Sequence, residues 1–104
     1  MDGEPDQFSR DLNKMRVVAG RVMERFRGLC PLERISIFPG ERNFDAYIGV
    51  QKPKQAEPLA KSDLAPQIEA FIREQLEEQH YGVGSTIPLR MIYLSAREIG
   101  RRQR

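Results

Sequence analysis

From Phe8 the apolar side chains fall at Phe8, Leu12, Met15, Ala19, Val22, Phe26 and Leu29, in alternating steps of four and three. That spacing keeps one face of a helix apolar and predicts a long amphipathic helix. Pro5 and Asp6 suit its first turn, where proline has no amide to leave unpaired and a carboxylate meets the positive end of the helix dipole. Gly28 and Pro31 suit its end. Gly20, inside the pattern, costs about 1 kcal/mol relative to alanine, so its presence predicts close approach of a neighbouring backbone.

The pattern then changes to period two. Ile35 and Ile37 alternate with Arg34 and Ser36, predicting a short strand that stops at Pro39-Gly40. Phe44, Ala46, Ile48 and Val50 share one parity against Asp45, Tyr47, Gly49 and Gln51, which predicts a second strand and, with the polar tip between them, an antiparallel hairpin. Residues 52–62 contain two prolines and three lysines and read as a long exposed connection. Ser62 or Asp63 can cap a second helix, with Pro66 tolerated in its first turn. Its buried stripe is Leu64, Ile68, Phe71, Ile72 and Leu76, while Glu69, Glu74, Glu77 and Glu78 face water. Gly82 is the predicted left-handed stop, with Val83 closing back over the last turn. In the final apolar run, 87–96, Leu89, Met91 and Tyr93 take one parity and Ile92, Leu94 and Ala96 the other, so both faces of this strand look covered.

The order helix, strand, strand, helix, strand predicts an α+β two-layer sandwich. A right-handed crossover through the second helix puts both helices on one face of a three-stranded sheet. Three strands cannot cover their own far face, so the outward Ile92 and Leu94 predict a protein interface, with Arg42 and Asn43 at the hairpin tip as secondary contacts. The a/d spacing of the first helix also fits pairing between subunits, but three heptads with Ala19 in the middle fit packing on the domain's own sheet, which is the preferred reading. In that case association uses the free face of the sheet or the edge of its last strand.

With 104 residues, 39% hydrophobic and 31% charged, the chain has material for one core. We divide it into a disordered lead-in (1–5), a single domain (6–99) and a basic tail (100–104). The single Cys excludes an internal disulfide, and one Cys with one His excludes four-ligand zinc sites built from those residues. No structural metal or cofactor is expected. No apolar run approaches the roughly 20 residues that span a bilayer, and the acidic N-terminus lacks the order of a signal peptide, so a cytoplasmic location is expected.

A net charge of +2 is too small for a general nucleic-acid footprint, but it conceals an asymmetry. The first helix is basic, through Arg10, Lys14, Arg16, Arg21, Arg25 and Arg27, and the second is acidic. Arg10, Lys14 and Arg21, placed by the helical wheel away from the apolar seam, join Arg101, Arg102 and Arg104 of the tail as a candidate polyanion-binding set. No aromatic residues interleave with them as a single-strand platform requires. The simpler account is a solubilising face, or attraction between the two helices.

Catalytic constellations are weak. Cys30, between Leu29 and Pro31, reads as a buried inert thiol, and His80 as a cation at the negative end of a helix; no third member completes a nucleophilic set. The run from Gly82 to Thr86 follows a helix rather than opening one, so its glycines do not form a phosphate cradle. A Gly-x-x-Gly clamp between two helices, used by some nucleic-acid binders of this element order, is absent. Glu74, Glu77 and Glu78 lie on a solvated surface, where acid catalysis has no desolvated cleft. The expectation is a non-catalytic module that binds another protein or itself as a homodimer. The alternatives are a polyanion-binding accessory protein and a small-molecule sensor with a pocket between the long connection and the sheet.

Overall fold

The computed structural model describes residues 7–83 and 86–102; the lead-in 1–5 lies outside them, as do the Phe8 side chain, Gly84, Ser85 and Arg104. The elements are α1 (Gln7–Phe26), β1 (Leu32–Pro39), β2 (Phe44–Val50), a 3-10 turn (Pro53–Gln55), α2 (Ala56–Ala60), α3 (Leu64–Glu78), β3 (Leu89–Ser95) and α4 (Ala96–Arg102). The α-β-β-α-β order stands, with α2 and α4 added to it.

The sheet runs β1-β2-β3. β1 and β2 form the antiparallel hairpin, and β3 lies parallel to β2 after the α2–α3 crossover. Ile35, Ile37, Ala46, Ile48 and Val50 point to one face, where Met15, Val18, Val22 and Phe26 of α1 and Ile68, Ile72 and Leu76 of α3 close the core. Leu89, Met91 and Tyr93 line the same face, half-buried. Both long helices therefore cover one side, as the two-layer architecture requires.

The seam of α1 is rotated from the heptad reading. Val18 is fully buried while Ala19 is only half-buried, and Leu29 is 61% exposed beyond the end of the helix. A straight helix drifts from a strict seven-residue repeat, so a stripe drawn from Phe8 to Leu29 leaves the core at its end. Gly20 also departs from expectation: an added Cβ meets nothing within 4 Å, so no backbone approaches it.

Ser62 shapes the start of α3, its hydroxyl accepting the Leu64 amide at 3.3 Å. At the far end, His80 rather than Gly82 is the left-handed stop, with φ 70°. The Tyr81 amide reaches the Leu76 carbonyl at 3.1 Å and the His80 amide the Glu77 carbonyl at 2.9 Å. This pair of bonds closes the helix as a Schellman motif with His80 at the residue after the cap. Gly82 follows with φ 128°, and Val83 is 67% exposed instead of folding over the last turn; Tyr81 packs inward in its place, its ring 5.1 Å from Phe44.

Residues 52–62 are not an open connection. Gln55 closes the 3-10 turn by accepting the Lys52 amide at 2.8 Å, and α2 buries Leu59 at 5% exposure. At the other end of the chain β3 stops at Ser95, whose hydroxyl accepts the Glu98 amide at 3.2 Å and meets the Glu98 carboxylate at 3.1 Å. Ala96, expected in the strand, starts α4 instead. This helix folds onto the sheet's second face: Ile99 is fully buried, and an added Cβ on Gly49 would stand 2.9 Å from its Cδ1. The expectation of a second face bare of its own chain is thus corrected at one end.

Candidate functional site

The second face is built from the residues whose parity opposes the core. Register places Arg34, Gly49 and Leu94 in one row, Ser36, Tyr47 and Ile92 in the next, and Phe38, Asp45 and Arg90 in a third. α4 covers the first row, with Ile99 over Gly49 and Gly100 beside Arg34. The third row ends in an exposed ion pair, Arg90 Nε to Asp45 Oδ1 at 2.9 Å. Tyr47 and Ile92 of the middle row, with Phe38 of the third, form a half-buried apolar strip that crosses all three strands. The rings of Phe38 and Tyr47 meet edge-on, with centroids 5.9 Å apart.

Ile92 and Leu94 therefore lie on the face opposite α1 and α3, both half-buried, with Leu94 in the row nearest α4. Phe38 and Tyr47 complete the strip and were missed, because each sat on the polar parity of its hairpin strand. Arg42 is exposed at the hairpin tip. Asn43 is turned inward, donating to the Asp45 carboxylate at 2.8 Å and the Phe44 carbonyl at 3.2 Å, while its own carbonyl accepts the Gly40 amide at 2.8 Å. It shapes the turn more than it offers a contact.

The basic residues of α1 do not form one outward stripe. Arg21 donates to Gln75 Oε1 at 2.6 Å and stands 3.8 Å from Glu78 on α3. Lys14 lies over the Tyr81 ring at 5.3 Å, and the Tyr81 hydroxyl donates to Asp11. Arg25 stacks against Phe26 and Phe71, which are themselves in edge contact. The two helices run antiparallel, so attraction to the acidic helix accounts for Arg21, whereas Lys14 is held over the ring of Tyr81 just beyond the end of α3. Arg101 is exposed; the Arg102 side chain and Arg104 lie outside the described residues.

Cys30 is half-buried, its thiol set against the Phe26 carbonyl at 3.5 Å, and burial pushes its pKa up. It sits by Leu59 and Leu64 at the start of α3. His80 is at the other end of that helix, about 20 Å away at 1.5 Å per residue, so the two do not meet. Among the described residues no three His, Cys, Asp or Glu side chains are grouped to hold a metal ion, and no helix is long and apolar enough to cross a membrane.

Both outer strands border grooves. One, of about 700 Å³, lies between α2, the start of α3 and the edge of β3, with Met91, Tyr93 and Leu94 at its floor and Glu57, Glu69 and Glu98 around it. Burial, helped by the Glu69 and Cys30 charges, pushes the Tyr93 phenol up to about 12. The other, of about 420 Å³, lies between α1 and β1. No protein-family model, curated protein or solved structure matches the chain.

Proposed function

We propose that this protein is a non-catalytic binding module that associates with a second copy of itself through the second face of its sheet. The observation that carries the reading is the half-exposed strip of Phe38, Tyr47 and Ile92, which lies beside the row of the second face that α4 covers. Apolar groups left in water at one contiguous place favour burial against another surface. A two-fold axis through the strip sets each copy's Tyr47 and Ile92 against the same patch of its partner, which makes the contact self-complementary. The charged row of Asp45 and Arg90 on one side and α4 on the other frame the patch as a polar rim frames an interface core.

Light scattering at low and at high salt tests this. A dimer whose mass does not respond to salt supports apolar association, and a monomer at both salt concentrations overturns it.

A second reading, sensing of a small molecule, is supported by the groove between α2 and β3. A rise in melting temperature with a metabolite supports that reading, and no shift across a broad panel removes it.

A further inference from the structure

We propose that a groove between the turn joining α1 to β1 and the outer side of α2 binds a free medium-chain carboxylate, with its alkyl chain along the apolar walls and its anionic end at the Lys54 ammonium. This groove has a volume of about 440 Å³, within the range of about 300–1,000 Å³ usual for small-molecule sites. It is distinct from the grooves at the two sheet edges. α2 stands between it and the groove beside β3, turning Ala56, Glu57 and Ala60 to that one and Pro58 and Leu59 to this one.

The wall chemistry narrows the class of occupant. Pro31, Pro58, Leu59 and Leu64 supply a surface that is almost wholly apolar, and Leu29, 61% exposed, adds to it one residue before Cys30. Three polar side chains also line the groove, but each is engaged by the chain's own backbone. The Cys30 thiol donates to the Phe26 carbonyl at 3.5 Å, and Gln55 Oε1 accepts the Lys52 amide at 2.8 Å. The Ser62 hydroxyl donates to the Leu59 carbonyl at 2.7 Å and accepts the Leu64 amide at 3.3 Å. An extended peptide laid here would leave its own amides and carbonyls without partners, which is costly once water is displaced. An alkyl chain asks for none.

Charge fixes the head group. Lys54 is the one charged residue of the lining, it is exposed, and among the described residues no carboxylate pairs with it. Glu57, the carboxylate closest to it along the chain, is held by Lys61 at 2.6 Å. The groove beside β3 instead carries Glu57, Glu69 and Glu98, so an anionic amphiphile is opposed there and drawn to Lys54. The inference goes beyond self-association and uses no residue of the Phe38, Tyr47 and Ile92 strip, so either can fail without the other.

The test is titration of the full chain with octanoate, decanoate, decanol and decylammonium below their micelle concentrations, followed by amide resonances and by the rate at which N-ethylmaleimide modifies Cys30. Decanoate is expected to shift the Cys30, Gln55, Leu59 and Leu64 amides and to slow modification of the thiol it covers. Each methylene that enters the groove tightens binding about fourfold, so decanoate binds about fifteenfold tighter than octanoate. Lys54→Gln weakens decanoate about two- to fivefold and leaves decanol unchanged. Pro58→Asp, at an exposed position, sets a carboxylate in the wall and weakens both; Lys54→Gln keeps the test open if that variant misfolds. No binding of decanoate, affinity independent of chain length, or decylammonium binding as tightly as decanoate would each overturn the proposal. Shifts confined to Met91, Tyr93 and Leu94 would overturn it by placing the ligand in the groove beside β3. Binding to phosphatidylglycerol vesicles without binding of free decanoate would do so by making the surface a membrane contact.

Discussion

Among the described glycines, Gly49 is the one at which an added carbon meets both a neighbouring strand and a helix. Its Cβ would stand 2.7 Å from the Arg34 carbonyl oxygen, 2.9 Å from Ile99 Cδ1 and 3.2 Å from Arg34 Cβ. The carbonyl belongs to the neighbouring strand's backbone and cannot rotate aside, so β1 must shift or α4 must lift. Overpacking of a filled site costs about 1–3 kcal/mol, and uncovering Ile99, fully buried in the native chain, costs about 1.5–3 kcal/mol more if α4 leaves entirely. Partial relaxation along both routes gives a loss of about 2–4 kcal/mol for Gly49→Ala, a fall of roughly 10–25 °C in melting temperature for a domain of this size. Urea unfolding followed by circular dichroism measures the loss, and amide exchange across 96–102 reports whether α4 has lifted. Ile99→Ala added to Gly49→Ala is expected to cost less than the sum of the two single changes, because the methyl group in conflict is gone. A loss below about 0.5 kcal/mol for Gly49→Ala, the usual range of an unconstrained surface change, would refute the account of how α4 seats on the sheet.

His80→Gly is expected to stabilise the protein by about 1 kcal/mol, because the left-handed conformation at φ 70° strains any residue with a Cβ; a lower urea midpoint contradicts this. Gly20→Ala gains about 1 kcal/mol by the same assay, since the added methyl enters open space on an exposed helix. Alkaline pH removes stability in a defined window. Tyr93 is raised to about 12 by burial first and then by Glu69 and Cys30, so the unfolded chain, ionising near about 10, releases its proton first. Stability is full below pH about 10 and declines as the pH rises through about 12, with Tyr81, raised by burial and by its bond to Asp11, acting in the same direction. The urea midpoint against pH, with Tyr93→Phe reducing the decline, checks the sign; a midpoint rising across that window contradicts it.

The two-layer core was readable because Ala46, Ile48 and Val50, and Ile68, Ile72 and Leu76, carry the periods of strand and helix without interruption. The elements that were missed are short. α2 has Leu59 as its one buried residue, too little for a period, and two prolines in its stretch imitate a loop. α4 left a signal at Ser95 and Glu98, a hydroxyl and a carboxylate three apart with an apolar residue next, but it lay inside a run already read as strand. Phe38 and Tyr47 were legible only once β3 was aligned beside β2, because an aromatic residue on a polar parity becomes part of a patch through its neighbours on other strands. The grooves at the two edges depend on helix placement, which periodicity does not determine. Lys14 and Arg21 show the same limit: their wheel positions are away from the heptad seam, yet α3 engages Arg21 and Tyr81, just after α3, engages Lys14.

Self-association through the Tyr47 and Ile92 strip is tested most directly by sedimentation equilibrium of the wild-type chain beside Ile92→Asp. The account predicts a wild-type dimer whose dissociation constant is insensitive to salt, and an Ile92→Asp monomer with an unchanged circular dichroism spectrum. A monomeric wild-type chain at high protein concentration, or a variant that dimerises as tightly as the wild type, would contradict it.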